Sequence, residues 1–174
     1  MKELKWYAVY TRPKWEKRVT EQLRKKRIDN YCPLNKVQRQ WSDRGKLYHE
    51  PLFTSYVFVH LNEKDRASVL QVDGVINFVY WLGSPAIIRD EEIDAIKGFV
   101  SEYSNITVEK KQVSVNDEVK VINGPLISKK GNVLEVLNST VKVVLPSLGH
   151  ILTAETRKDN TEIPAYLEEL KLRV

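Results

Sequence analysis

The 174-residue chain has a single cysteine, Cys32, and no long apolar run. One cysteine cannot form an internal disulfide, so a reducing cytoplasm is its simplest location. A membrane-spanning helix needs about 18 or more consecutive apolar residues, and the sequence contains no such stretch. The opening residues, MKELKWYAVYTR, reach Arg12 too early to resemble a secretory signal. We therefore expect a cytoplasmic protein that does not enter a membrane.

The sequence also lacks the residue patterns of common catalytic and metal sites. Its three histidines, His49, His60 and His150, are far apart and have no metal-ligand spacing. No GxxxxGK[ST] phosphate loop is present, and a lone Cys32 is more typical of a small buried residue than of a nucleophile. The acidic cluster Asp90–Asp94 lies where a helix is predicted to start, which favours a cap over a metal site. We expect a protein that is not an enzyme and that uses no cofactor or metal.

Positive charge is concentrated in the first part of the chain. Residues 1–46 contain 14 Lys and Arg against 5 Asp and Glu, whereas the remaining residues contain 14 against 18. Such an asymmetry is typical of a region adapted to a polyanion. The alternative is a basic helix surface that only keeps the protein soluble, and composition alone leaves both open.

Short strands and helices alternate over the first hundred residues. The segment KWYAVYTR (Lys5–Arg12) is predicted to be a strand that stops at Pro13, and Trp15, Val19 and Leu23 form the apolar stripe of a helix from Lys14 to about Ile28. Further along we expect a strand at NYCPL, a loop or hairpin with a turn at Asp43–Gly45, a strand in EPLFTSYVFVHL, a short helix from about Glu63 to Val72, a strand at GVINFVYWLG, and a helix with Ile93, Ile96, Phe99 and Val100 on one stripe. This order predicts an α+β protein that begins with a ferredoxin-like α/β sandwich.

The strand in EPLFTSYVFVHL is apolar on both faces. Tyr56, Phe58 and His60 are expected to point one way, and Val57, Val59 and Leu61 the other. The protein's own core covers one face of such a strand, so the second face is either also core or a binding surface.

The sequence changes character after residue 103. SNITVEKKQ (Ser104–Gln112) is polar and without periodicity, which predicts a linker. The segments DEVKVINGP, GNVLEVLNS, TVKVVLPSLG and HILTAET are short, β-branched and separated by turn residues, which predicts a small barrel. The same β-branched residues disfavour refolding into helices. The final IPAYLEELKLRV could form either a helix or a strand.

Three stretches in this order resemble the NusG family of transcription elongation factors: WYAVYTRPKWEKRV, PLFTSYVFV and VNDEVKVINGPLISKKGNVLEV. The first two are similar to the amino-terminal domain of the family and the third to its KOW motif. The resemblance covers Trp6 to about Glu155 and implies an amino-terminal domain at 1–103, a linker at 104–112, and a small five-stranded SH3-like β-barrel (KOW) domain with a C-terminal tail at 113–174. Within the family, the motifs look closest to specialised antiterminators of the RfaH and UpxY type.

The resemblance implies a docking surface for RNA polymerase. In this family the amino-terminal domain binds the clamp subunit through an apolar pocket, which would cover the second face of the strand. Matching the motif LFxxYxFV places Phe53, Tyr56 and Phe58 in that pocket, with Tyr7 or Tyr10 beside them. The alternative is that these aromatics pack only inside the domain.

The resemblance also implies contact with the non-template DNA strand of the transcription bubble. By position, the candidate residues are Arg12, Lys14, Trp15, Lys17, Arg18, Gln22 and Lys25. Cations would bind phosphates and Trp15 could stack on a base, although its spacing favours a place in the core. A related antiterminator has an arginine before the glycine where this chain has Asp73–Gly74, which puts sequence-specific reading at that point in doubt.

The predicted barrel is nearly neutral, which favours a protein partner over nucleic acid. The resemblance implies a small-subunit ribosomal protein or the termination factor Rho, bound through Leu126, Ile127 and Leu148; the alternative is that these side chains cap the barrel core. We therefore expect a monomeric bacterial antitermination factor for particular long operons. The alternatives are a general NusG that couples to Rho and the ribosome, and a ribosomal-type KOW protein that binds RNA, although the charge lies outside the barrel.

Overall fold

The computed structural model describes residues 3–38, 46–110, 134–137 and 140–155. Contacts group the chain into two compact units, residues 1–34 with 50–93 and residues 35–49 with 94–174. The described elements, in chain order, are β1 (Lys5–Thr11), α1 (Glu16–Lys25), β2 (Asp29–Tyr31), β3 (Leu34–Gln38), β4 (Leu47–Pro51), β5 (Tyr56–Leu61), a 3-10 turn (Glu63–Asp65), α2 (Arg66–Leu70), β6 (Val75–Phe78), β7 (Tyr80–Trp81), β8 (Ser84–Pro85), β9 (Ile87–Ile88), α3 (Asp90–Glu102), β10 (Thr107–Lys110), β11 (Leu134–Leu137), β12 (Thr140–Leu145) and β13 (His150–Glu155). The fold is therefore mixed α/β and consists mostly of strands.

The first unit contains an antiparallel sheet with the strand order β2-β5-β1-β6, and β9 also pairs with β1. In the central pair, Trp6 lies opposite His60, Tyr7 opposite Val59, and Ala8 opposite Phe58. Directly opposed residues share a face of an antiparallel sheet. This register therefore places Tyr7 on the face of Val59, and Ala8 on the face of Phe58.

Helices α1 and α2 contribute to the core on one face of this sheet. Val57, Val59 and Leu61 of β5 belong to the same buried cluster as Val19 and Leu23 of α1. The predicted alternation along β5 and the predicted helix stripe are both confirmed. Trp15 is only partly buried and packs at the edge of this cluster, so the structure confirms its contact with the core without burying it fully.

Helix α1 is shorter than predicted at both ends. It begins at Glu16 because Lys14 has a left-handed backbone, with φ of 66°. It ends at Lys25 in a Schellman motif, in which the Ile28 N–H donates to the Leu23 carbonyl and Arg27 has φ of 59°. Glycine usually occupies that left-handed position. Because residue 27 is an arginine, no glycine marks the end of the helix in the sequence.

Two other predicted elements differ in detail. The predicted strand at GVINFVYWLG is split into β6 and β7, which belong to different sheets. The predicted helix near residues 63–72 consists of the 3-10 turn followed by α2. Helix α3 agrees with its predicted stripe, since Ile93, Ile96 and Phe99 are buried.

A second antiparallel sheet has the strand order β10-β13-β12-β11. Within the segment predicted to be a linker, Thr107–Lys110 form β10 and pair with β13. Just before this strand, the Asn35 side chain bonds both the N–H and the carbonyl oxygen of Ile106, at 3.1 and 2.8 Å. The partners of this segment are distant in sequence, so its polar composition did not reveal the strand.

The closed five-stranded barrel, the ferredoxin-like classification and the domain limits at 103 and 113 stay predictions. Residues 111–133 and 156–174, which include the KOW turn and the carboxy-terminal segment, lie outside the described residues. Within the described part of the chain, no helix combines the length and the apolar character needed to cross a bilayer.

Candidate macromolecule-binding surfaces

An aromatic cluster lies on the β1–β5 face opposite α1 and α2. We use this name for Tyr10, Tyr31, Phe53, Tyr56 and Phe58. The ring centroids of Phe53 and Phe58 are 5.5 Å apart, those of Phe53 and Tyr56 are 6.5 Å apart, and those of Tyr10 and Tyr56 are 4.9 Å apart. Tyr31 extends the cluster from β2, with its ring 6.4 Å from that of Phe58. The structure therefore brings together four of the five residues expected to face the polymerase.

Tyr7 is the residue that the structure separates from the others. It is only 3% exposed and belongs to the core cluster beneath the helices, where its ring meets Phe78 edge-on at 5.8 Å. Alternation along β1 places Tyr10 and Tyr7 on opposite faces of the sheet. A pocket that includes Tyr10 and Tyr56 cannot also include Tyr7, so we correct the expectation for this residue.

The aromatic cluster has a buried base and a more accessible edge. Phe58 is 0% exposed and Phe53 is 3% exposed, whereas Tyr10 and Tyr56 are half-buried. The Tyr56 hydroxyl donates to the Tyr10 hydroxyl at 3.2 Å. Burial, followed by this hydrogen bond, raises the pKa of Tyr56 above its ordinary value. The edge thus offers two aromatic rings with polar tips.

A basic patch forms where the end of β1 meets α1. We define it as Arg12, Trp15, Arg18 and Gln22. The guanidinium carbon of Arg18 lies 4.2 Å from the Trp15 ring centroid, and that of Arg12 lies 5.1 Å from it. Such cation–π contacts orient two cations around one ring. A base that stacked on Trp15 would compete with these guanidinium groups for the ring.

Asp73 adds a negative charge to the edge of the basic patch. Its carboxylate lies 3.7 Å from Arg12 Nη1, and its carbonyl oxygen accepts a hydrogen bond from Gln22 Nε2 at 3.1 Å. Both charged side chains of the pair are 58% exposed, so the attraction is screened by water. The other predicted DNA residues, Lys14, Lys17 and Lys25, are exposed on the same segment.

Of the residues predicted to bind a ribosomal protein or Rho, the structure describes only Leu148. It lies in the turn Pro146–Gly149 between β12 and β13, where it is half-buried. Its carbonyl oxygen is 2.7 Å from Nδ1 of His150, and burial lowers the pKa of that histidine. Leu126 and Ile127 lie outside the described residues.

Sequence reasoning missed an apolar hairpin that projects between β6 and β9. Strands β7 and β8 pair with each other, and Tyr80, Trp81 and Leu82 are 52%, 53% and 82% exposed. Ile87, just after β8, is 50% exposed. The Gly83–Ser84–Pro85 turn signal is present in the sequence, but the apolar run before it predicts a single strand.

The groups considered for chemistry occupy structural positions. Oε2 of Glu92 accepts from the Arg89 N–H at 3.3 Å, as in one half of a capping box at the start of α3. Burial raises the pKa of the Cys32 thiol to about 11. Among the residues that the structure describes, no group of three or more His, Cys, Asp or Glu is placed to hold a metal ion.

An aromatic cluster and a basic patch on one strand-rich α/β unit are features typical of proteins that bind other macromolecules. Comparison with known families identifies the family to which the chain belongs. The profile described as "Transcription termination factor nusG" matches residues 4–97, more than half of the chain. The chain belongs to the NusG family of transcription termination and antitermination factors.

Individual relatives agree over nearly the whole length. The "Transcription termination/antitermination protein NusG" of Streptococcus pyogenes serotype M1 is 28% identical, over 86% of this chain and 90% of the relative. The protein of the same name from Chlamydia pneumoniae is 25% identical, over 91% of each chain. A solved structure titled "Domain interaction in Thermotoga maritima NusG" is similar with a TM-score of 0.51 at 25% identity, over 89% of this chain and 94% of that one.

Proposed function

We propose that this protein binds the clamp subunit of bacterial RNA polymerase and the non-template DNA strand, and thereby suppresses pausing and termination. It acts by binding the elongation-competent state more tightly than the paused state, without any chemical step. The aromatic cluster is the main observation that supports this proposal. Membership of the NusG family supports it.

The docking surface is assigned to Tyr10 and Tyr56, supported from beneath by Phe53 and Phe58. Aromatic residues contribute strongly to interfaces because they bury a large area with few rotatable bonds. Their ring contacts and the hydroxyl–hydroxyl bond fix the two tyrosines before binding, so little entropy is lost on docking.

The basic patch is assigned to the non-template strand. Arg12 and Arg18 reach phosphates, while Lys14, Lys17 and Lys25 add positive charge on the same segment. Because contacts to phosphates carry no sequence information, the patch binds the backbone and selects sequence only weakly. The carboxy-terminal sheet is assigned to a ribosomal protein or Rho, through the turn that carries Leu148.

We propose that the protein acts on particular long operons. A general role is the second candidate, favoured by the near full-length similarity to proteins named for both termination and antitermination. Deletion of the gene followed by transcript sequencing separates the two. Loss of distal transcripts from one operon supports the specialised role, whereas changes across most genes support the general one.

The direct test is the affinity of the purified protein for core RNA polymerase. Tyr56→Ala and Tyr10→Ala should each weaken binding by about 1–3 kcal/mol, because each removes a half-buried ring at the accessible edge of the docking surface. Leu70→Ala is the matched control, since this side chain is 46% exposed on α2, on the other face of the sheet. Phe58→Ala is unsuitable because the ring is fully buried and its loss would leave a cavity.

Two results would reject the proposal. One is wild-type protein that does not bind polymerase. The other is a pair of tyrosine variants that remain folded by circular dichroism and bind as tightly as the Leu70→Ala control.

A further inference from the structure

Glu16 is a buried acidic residue in the most basic segment of the chain. It is the first residue of α1 and is only 3% exposed. Its Oε1 accepts a hydrogen bond from the backbone N–H of Ser55 at 2.6 Å. A buried carboxylate is costly unless it is well bonded, and this short charge-assisted bond offsets part of that cost. Its place in the first turn also complements the helix dipole.

Ser55, which donates this hydrogen bond, has an unusual backbone conformation. It has φ of 62°, a left-handed backbone that is unfavourable for a residue other than glycine. Its carbonyl oxygen accepts from the Thr11 N–H at 2.9 Å, at the end of β1. Ser55 is therefore held from both sides, by Thr11 through its carbonyl and by Glu16 through its N–H.

The turn held in this way carries the aromatic cluster. Phe53 lies two residues before Ser55, Tyr56 directly follows it, and the Tyr56 N–H reaches back to the Phe53 carbonyl at 3.4 Å. If Ser55 relaxed to an ordinary φ, the direction of the chain into β5 would change. The contact between Phe53 and Tyr56 would change with it, as would the bond from Tyr56 to Tyr10.

We propose that Glu16 is a positioning residue for the polymerase-docking surface: its carboxylate fixes the Ser55 turn, so that Phe53 and Tyr56 are held in the binding geometry before the polymerase arrives. This inference rests on the proposed function of the aromatic cluster. It gives α1 a second role, because the helix that presents the basic patch also holds the turn of the docking surface.

The test compares three variants of the full chain. Glu16→Ala removes the acceptor, Glu16→Gln keeps an oxygen that can accept from Ser55, and Glu21→Ala removes an exposed acidic residue from the same helix. We expect Glu16→Ala to bind core RNA polymerase about tenfold more weakly, as for loss of an interface anchor. Glu16→Gln and Glu21→Ala should stay close to wild type. Affinity for a single-stranded oligonucleotide should change little in Glu16→Ala.

Loss of stability alone must be separated from loss of positioning. Val69→Ala removes part of a fully buried side chain from the core beneath α2, and should destabilise the protein without weakening polymerase binding. If Glu16→Ala does not fold, Glu16→Ala/Ser55→Gly replaces it, because glycine adopts the left-handed backbone without that cost.

A second measurement needs no polymerase. Ring-to-ring nuclear Overhauser contacts between Tyr10 and Tyr56, and the hydrogen-exchange protection of the Ser55 amide, should weaken in Glu16→Ala and persist in Glu16→Gln. Wild-type contacts and protection in Glu16→Ala would overturn the inference, whatever the polymerase does. Equal losses in Glu16→Ala and Glu16→Gln would overturn the assigned role of the acceptor oxygen. Wild-type protein that does not bind polymerase would instead reject the proposed function.

Discussion

Cys32 illustrates how the environment of one residue decides its chemistry. The thiol packs against the core cluster of the first unit, and burial is the main reason that its pKa rises from 9.0 to about 11. The neighbouring carboxylate of Glu16 raises the pKa further, while the Thr20 hydroxyl and Lys17 oppose the shift. A thiolate is the reactive form of cysteine. The folded protein should therefore react with maleimide at pH 8 far more slowly than the unfolded chain.

The same shift predicts how stability depends on pH. Above about pH 9 the unfolded chain loses the Cys32 proton while the folded protein keeps it, so a rise in pH favours unfolding. Stability from this group is complete below pH 9 and is lost as the pH rises through 11. Urea unfolding of wild type and Cys32→Ala at several pH values should show the difference between them changing in that window. Parallel curves from pH 8 to 11 would contradict the prediction.

Residue-level predictions from sequence succeeded where strand alternation decided the outcome. Tyr56 and Phe58 point away from the helix core as expected, and the same rule applied to β1 would have placed Tyr7 inside it. Contacts between residues that are distant in sequence could not be predicted from local sequence patterns. The bond from Glu16 to Ser55 joins residues 39 positions apart, and no local pattern marks it.

At the scale of elements, Trp15 and Gly74 join α1 to the turn before β6. A Cβ atom added to Gly74 would lie 2.5 Å from Cε3 of Trp15 and 3.0 Å from Cγ2 of Val19, and the backbone has φ of 93°. Gly83 offers a matched control, since its φ is 79° and nothing lies within 4 Å of its added Cβ. The two glycines therefore share the backbone requirement and differ in packing.

We predict that Gly74→Ala destabilises the protein more than Gly83→Ala does. Gly83→Ala should cost about 1–2 kcal/mol from the left-handed backbone alone. Gly74→Ala should cost about 1–3 kcal/mol more, because Trp15 must move to admit the methyl group. Urea unfolding measures both variants. If the two variants lost the same free energy of unfolding, the Trp15 side chain would be able to move away from residue 74 without a measurable cost.

Elements with strong periodicity were predicted well from sequence, and their ends less well. The stripe of α1 was clear, but its end depends on Arg27 adopting a backbone that glycine usually adopts. Strand β10 was missed because it forms only by pairing with β13, some forty residues later. Residues that depend on a distant partner carry little local signal, and polar sequences such as Thr107–Lys110 are then taken for linkers.

At the scale of the whole molecule, the excess of positive charge in residues 1–46 is the feature that composition revealed first. The structure places Arg12 and Arg18 around Trp15 within that region. Each phosphate neutralised on a single strand contributes a slope of about −0.7 to the dependence of log affinity on log salt. The number of cations that contact DNA can therefore be read from salt titrations.

We predict that Arg18→Ala and Lys25→Ala each reduce this slope by about 0.7 for a mixed-sequence single-stranded oligonucleotide, because each removes one phosphate contact. Arg18→Lys should keep the slope, since the charge remains, but should lower affinity because lysine cannot reproduce the stacking of arginine on Trp15. Lys64→Ala is the control, since Lys64 is also exposed but lies outside residues 1–46. Fluorescence anisotropy at several KCl concentrations measures all four variants. An equal loss of slope in Lys64→Ala would mean that DNA responds to the net charge of the protein, and the cations of α1 would then have no particular role in binding it.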